Sequence, residues 1–275
     1  MCLVLSVTRQ GYYKWRRNNA RPYKHADLLA KIKAIIAENE FNKLYGIKRM
    51  HETLVDRGIN CTYWEVRRVM HDNGLIHKKK HNPQSLTKAD KDAQKSDNLL
   101  NRDFTSERPC EKLVSDITQY PTADGKLYVS GIYDCFDNAC LAVTMDDNMR
   151  KELVIATLAQ AAGRYDLRDA IFHTDRGSQY TSADFRNEIA KHDLRQSMNS
   201  EGGRCHDNAK CESMWGRTKS EILALYDTSK MPMEDVKKLI FRYMMGYWNT
   251  ERTCSAIGGT TPAKKRTAYY EKLAA

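Results

Sequence analysis

Apolar positions change their period along the chain, helical before about residue 111 and strand-like after it. Leu28, Ile32, Ile35 and Ile36 recur at i, i+4, i+7 and i+8, which predicts a helix over residues 25–40. Ile47, Met50 and Leu54 mark one face of a second helix over 47–57, stopped by Gly58. Thr62 with Glu65 three residues on is a capping-box pattern. It opens a third helix with Val66, Val69 and Met70 inward, Gly74 beyond its end, and Arg67 and Arg68 on its outer side. Two short helices joined by a Gly-containing turn in a basic region suit helix-turn-helix DNA binding, the alternative being a small bundle that only packs against the rest of the chain. Residues 3–17, with Tyr12, Tyr13 and Trp15, look like the tail of a helix-turn-helix or an independent amphipathic helix.

Residues 77–110 are polar, carry Lys78, Lys79 and Lys80, and have little periodicity. They read as a linker, either running along a DNA backbone or merely solvated. Three short apolar runs follow at 113–117, 127–133 and 140–145, separated by Asp124-Gly125 and Asp137-Asn138. Residues 151–165 are helical, with Leu153, Ala156, Thr157, Gln160 and Arg164 spanning the turns. A strand at 170–173, a helix at 182–192 and a strand at 195–198 come next. A polar loop with Gly202 and Gly203 then leads into a helix bearing Asn208, Glu212 and Lys219 on roughly one face. A last long helix covers 232–247, with Val236, Leu239, Ile240, Tyr243 and Met244 inward, and a tail with Lys264, Lys265 and Arg266 ends the chain. The fold class is α/β behind a small all-helical region. The expected division is 1–76 (helical, DNA-binding), 77–110 (basic linker), 111–225 (catalytic core) and 226–275 (C-terminal helix and tail on the core).

Charge sharpens this division. The net charge of +10 arises entirely before residue 111, where 22 Lys and Arg face 12 acids; the rest of the chain has 23 of each. A basic front part points to nucleic acid. The 8 cysteines include no C-x-x-C, so Cys205, His206 and Cys211 read as packed or incidental groups, not a zinc site. No apolar run approaches the roughly 20 residues of a membrane span, and residues 3–7 are too short for a signal-peptide core. A soluble, cytoplasmic protein is expected.

Three acids stand out by where they fall. Asp116 interrupts an apolar strand, Asp175 ends another, and Glu212 sits at a helix start. A carboxylate in an apolar strand is costly unless something pairs with it, and a hard divalent cation gathering carboxylates is one answer. Two such ions about 4 Å apart can clamp the attacking and leaving oxygens of a phosphoryl displacement. With 23 acids after residue 110, the spacings of 59 and 37 residues decide nothing alone.

The surrounding words decide more. H-T-D-R-G-S-Q-Y-T-S at 173–182, S-M-N-S-E-G-G-R-C-H-D-N-A-K-C-E-S at 197–213, and Tyr247-Trp248-Asn249 through Thr261-Pro262 resemble, in order, the catalytic domain of insertion-sequence transposases of the IS-three family. The resemblance runs over nearly the whole chain and is densest at 113–262. It implies a DDE enzyme with an RNase H-like mixed-sheet core, akin to retroviral integrases. Asp116, Asp175 and Glu212 would be both the catalytic residues and the ligands of two Mg²⁺ ions, with Mn²⁺ able to substitute. Lys219 would meet a phosphate, and Arg67, Arg68, Lys78, Lys79 and Lys80 would contact DNA. The reaction implied is phosphodiester hydrolysis at the element ends followed by transesterification. The resemblance further implies a bacterial, nucleoid-associated protein that self-associates on DNA. It also implies an upstream-frame DNA-binding partner or frameshift fusion.

The chain departs from the family pattern in three places. The loop between Ser197 and Asp207 is one residue longer, Cys254 replaces a common histidine, and Leu113 a common tryptophan. None removes a carboxylate. A catalytically inactive relic or a non-catalytic DNA-binding regulator therefore stays open as the alternative.

Overall fold

A computed structural model describes residues 7–19, 23–76, 96–200 and 205–275, so Lys78, Lys79, Lys80, Gly202 and Gly203 lie outside the described residues. Contacts divide the chain into two units, Met1–His77 and Lys78–Ala275.

The first unit is helical: α1 (Arg9–Asn19), α2 (Ala26–Glu38), α3 (Ile47–Asp56) and α4 (Tyr63–Asp72), with a 3₁₀ turn at Glu40–Leu44. Ile32, Ile35, Met50, Leu54, Val66, Val69 and Met70 are buried, as the apolar spacing requires. Phe41 and Tyr45, on and after the 3₁₀ turn, complete this core. Gly58 and Gly74 adopt positive φ past the ends of α3 and α4. At the first of these, Gly58 N donates to Val55 O and Ile59 N to Leu54 O, closing the orphan carbonyls of the last turn. The capping box forms in full: Thr62 Oγ1 accepts from Glu65 N, and Glu65 Oε2 accepts from Thr62 N.

The second unit is built on one five-stranded sheet in the order β3-β2-β1-β4-β5. The strands are β1 (Lys112–Thr122), β2 (Gly125–Asp134), β3 (Cys140–Asp146), β4 (Ile171–Thr174) and β5 (Arg195–Met198). β1, β2 and β3 pair antiparallel; β4 and β5 join parallel to β1. The helices are α5 (Lys151–Ala162), the short α6 (Ser178–Thr181), α7 (Ala183–Lys191), α8 (Ala209–Leu225), α9 (Met233–Phe241), the single-turn α10 (Trp248–Thr250) and α11 (Pro262–Ala274).

Side chains alternate across the sheet, so each strand serves two layers. Leu113 and Ile117 of β1, Ile132 of β2 and Phe172 of β4 share one core with Leu153, Leu158, Phe185 and Ile189 of α5 and α7. On the opposite face Tyr133 meets the rings of Trp215 on α8 and Trp248 on α10.

The buried face of α5 is Leu153, Val154, Thr157, Leu158 and Ala161, while Ala156 and Arg164 face water. Three details differ from the expectations above. The final long helix is broken by a π turn at Arg242–Tyr247 and runs on to Thr250. Ser96 to Asp103, read as linker, bind the core instead: Leu100 is buried, Leu99 N donates to Ser197 Oγ, and Ser96 Oγ bonds Gln196. The tail is a helix, α11. Thr261 caps it by accepting from Lys264 N, and Arg266 anchors it by donating to the buried Asp134 and Asp137.

Candidate active site

Register brings two of the acids side by side. In the parallel β1–β4 pair Val114 lies opposite His173, and the same offset carried two residues further sets Asp175, just past β4, beside Asp116. Both share the parity of Val114 and His173, which directs them to the α8 face. The third acid comes with α8. Asp116 stands opposite Gly131 in the β1–β2 register, and Gly131 is where Trp215 packs. A Cβ on Gly131 would lie 3.0 Å from the Trp215 ring, so the missing side chain lets α8 approach the sheet. Glu212, one turn before Trp215, is exposed in the first turn of that helix.

The electrostatics record the proximity. The Asp116 carboxyl is pushed well above the usual range, first by desolvation and then by the negative charges of Asp175 and Glu212. The Ile117 N–H, 2.8 Å from Asp116 Oδ1, and the Lys219 ammonium act the other way. Burial lowers the Lys219 pKa while Asp116 holds it up, and Lys219 Nζ lies 5.9 Å from the centre of the Tyr120 ring. Tyr180 and Cys211 are pushed up by burial and then by Asp116, with Asp175 adding to both. Asp175 is folded back so that its Oδ1 accepts from Gly177 N at 3.0 Å. A Cβ on Gly177 would stand 3.1 Å from that same oxygen. Among the described residues, no three His, Cys, Asp or Glu side chains are gathered closely enough to hold a metal ion as they stand. Asp116 senses both other acids, and the three do not form a closed ligand set.

Sequence reasoning singled out Asp116, Asp175, Glu212 and Lys219 but not the hub beside them. His173 is fully buried, with Nδ1 2.8 Å from Ser197 Oγ and Nε2 3.0 Å from both Asn199 Oδ1 and the Asp207 carbonyl oxygen. Asp207 accepts from Arg102 Nε at 2.7 Å and Ser200 N at 3.0 Å. Burial holds the imidazole pKa down. The only hint in sequence was a histidine closing an apolar run, because its partners come from distant segments.

In the first unit Arg67 and Arg68 are exposed on α4. The Arg67 guanidinium lies 5.2 Å from the ring centre of Trp64, itself 67% exposed. Cys254 is buried with its sulfur 3.5 Å from Asn138 Nδ2, so the residue standing for histidine is packed in the C-terminal segment. No helix among the described residues is long and apolar enough to cross a membrane.

Comparison with known proteins bears on the fold and the family. Residues 106–203 match the Integrase core domain family, and residues 193–262 match a second family of the same description. A chain of the simian T-cell lymphotropic virus intasome, determined with PP2A regulatory subunit B56 gamma, is similar in structure. It has a TM-score of 0.50 and 17% identity, and covers 75% of this chain and 67% of that one. The second unit is therefore an integrase-type core of RNase H-like fold. The chain is 31% identical to the insertion element IS600 uncharacterized 31 kDa protein of Shigella sonnei, covering 100% of both. It is 29% identical to Transposase InsF for insertion sequence IS3A of Escherichia coli strain K12, covering 95% of this chain and 91% of that protein. It belongs to the IS-three family of insertion-sequence transposases.

Proposed function

We propose that this transposase cuts and joins DNA at a site made by Asp116, Asp175 and Glu212, acting as a polynucleotidyl transferase. The observation that carries the reading is the electrostatic convergence of Asp175 and Glu212 on a desolvated Asp116 in the middle of the sheet. Three carboxylates offer only hard oxygen donors, and their mutual repulsion is what a divalent cation relieves, so the donor set fits Mg²⁺ and, by substitution, Mn²⁺. Two ions held by these acids would neutralise charge on phosphate oxygens and lower the pKa of bound water.

The chain's own residues do the rest. Asp175 is held by the Gly177 N–H and Glu212 is carried by α8, so the acids approach from a strand end and a helix. Lys219, on the same helix and sensed by Asp116, supplies a cation for a phosphate oxygen. Hydrolysis at an element end exposes a 3′-hydroxyl. That hydroxyl then displaces a second phosphodiester, and no protein side chain enters a covalent intermediate. Arg67 and Arg68 on α4, with Lys78, Lys79 and Lys80, would grip the DNA backbone, in keeping with the basic front part of the chain. Assembly as a homo-oligomer on paired DNA ends, with an upstream-frame protein or fusion, belongs to the same reading. So does the assignment of 1–76 as a helical DNA-binding region, 111–225 as the core, with Ser96 to Asp103 bound to it, and 226–275 as a C-terminal part.

The test is a supercoiled plasmid carrying the gene's own flanks, incubated with the full chain in Mg²⁺ or Ca²⁺. Nicks and joined ends at defined flanking positions, lost in Asp175→Ala while DNA binding persists, are expected. Equal loss of binding and cleavage in that variant, or binding with no product under any condition, would sink the proposal and favour an inactive DNA-binding regulator.

A further inference from the structure

His173 joins four stretches of chain at one buried imidazole, and the hydrogen-bond inventory sets its protonation pattern. Leu99 N–H donates to Ser197 Oγ at 2.9 Å, which frees the hydroxyl hydrogen for His173 Nδ1 at 2.8 Å. Nε2 faces the Asp207 carbonyl oxygen, an acceptor that cannot be reversed, at 3.0 Å. Nε2 therefore carries the ring proton and donates it. Asp207 directly precedes Asn208, which leads into α8, and Asn208 Nδ2 reaches back to Ser115 O on β1. Arg102 Nε and Ser200 N clamp the Asp207 carboxylate from outside. The imidazole thus ties β4, two residues before Asp175, to the entry of α8, five residues before Glu212.

We propose that His173 is a positioning residue that fixes the separation of Asp175 and Glu212 by bonding β5 through Nδ1 and the start of α8 through Nε2. The proposal rests on the three acids forming the site. The acids repel one another, and the two residues that lead into α8, Asp207 and Asn208, are polar and buried, so hydrogen bonds hold this turn ahead of the apolar contacts of Cys211, Met214 and Trp215. A directed hydrogen bond sets the distance where packing does not. Groups of this kind behind a metal site typically change affinity or activity by about 10–100-fold.

The experiment compares full-chain wild type, Asp175→Ala, His173→Leu, His173→Gln and Ser197→Ala. Two quantities are read: the Mg²⁺ concentration for half-maximal plasmid nicking, and the Mg²⁺-induced rise in unfolding midpoint. Asp175→Ala should abolish both responses. His173→Leu should need at least about 10-fold more Mg²⁺ and regain nicking at high Mg²⁺, with DNA affinity unchanged. His173→Gln keeps an N–H in reach of the Asp207 carbonyl and should fall between it and wild type. Ser197→Ala, which removes the Nδ1 partner, should shift the same way by less, and serves if His173→Leu does not fold. A normal Mg²⁺ requirement in folded His173→Leu or Ser197→Ala, with Asp175→Ala unresponsive, overturns the positioning role alone. A normal response in Asp175→Ala overturns the site assignment and this inference with it.

Discussion

Asp116 is the residue at which folding and the proposed function oppose each other. Desolvation and two like charges raise its folded-state pKa above the ordinary 3.8. A group raised in this way favours the folded state fully below its unfolded pKa, and that advantage is lost as pH rises through the folded value. In metal-free protein at neutral pH, Asp116→Asn should therefore unfold higher than wild type, by about 2–4 °C if the gain is about 1 kcal/mol. The difference should vanish below about pH 4, and adding Mg²⁺ should reverse the order by stabilising wild type alone; thermal melts across pH check both. Gly131 makes a second case. Gly131→Ala sets a methyl 3.0 Å from the Trp215 ring, which packs edge-on against Tyr133, and 3.4 Å from Met244 Cε. It should cost about 1–3 kcal/mol in urea unfolding and slow cleavage by displacing α8. The acids were legible in sequence because the phrases around them lie within a few residues of each. His173 was not legible as a hub, because Ser197, Asn199 and Asp207 lie 24, 26 and 34 residues away; Ser197 meets it through the parallel β4–β5 pairing and Asp207 through the turn that leads into α8.

Among the elements, α8 is the one the proposed site depends on, and it is held at both ends. Its start is tied to β4 and β1 through His173 and Asn208. Its far end is tied by Glu221, which takes the buried Arg252 through two nitrogens and the Tyr243 hydroxyl at 2.5 Å. Arg252 also lies 4.4 Å from the ring centre of Trp248, so the π turn and α10 close over this pair. Removing one member strands the other's charge, and Glu221→Ala should cost about 3–5 kcal/mol in chemical unfolding. In the first unit, Thr62→Ala removes the capping bond of α4 and should cost about 1 kcal/mol, read as lower helicity and midpoint by circular dichroism. That cap was legible because Thr62 and Glu65 are local. α11 escaped because it buries only Pro262 and so has no apolar face to betray a period. Its start signal, Thr261 before Pro262, was present, but its anchor is an Arg266 pairing with Asp134 and Asp137 some 130 residues earlier. The strap at Ser96 to Asp103 likewise reads as polar because its bonds are to the Gln196 side-chain amide, the Ser197 hydroxyl and the Met198 N–H of β5.

Across the whole molecule, charge and chemistry are divided between the two parts of the sequence, with the surplus of +10 confined to the first 110 residues. Phosphate contacts are sequence-independent and release counterions. Arg67→Ala with Arg68→Ala should weaken binding to any duplex and lower the slope of log affinity against log salt by about 2, measured by fluorescence anisotropy. Cleavage per bound complex should be unchanged. The account as a whole turns on whether three acids from β1, the end of β4 and α8 act as one site. The most direct measurement is the rate at which purified full chain joins a 3′-hydroxyl-ended duplex of its own flank into a plasmid in Mg²⁺, for Asp116→Asn, Asp175→Asn and Glu212→Gln separately. Each variant should bind the duplex as wild type does and join it at least about 10³-fold more slowly. Joining at the wild-type rate by any one of the three would remove that acid from the site and contradict the account.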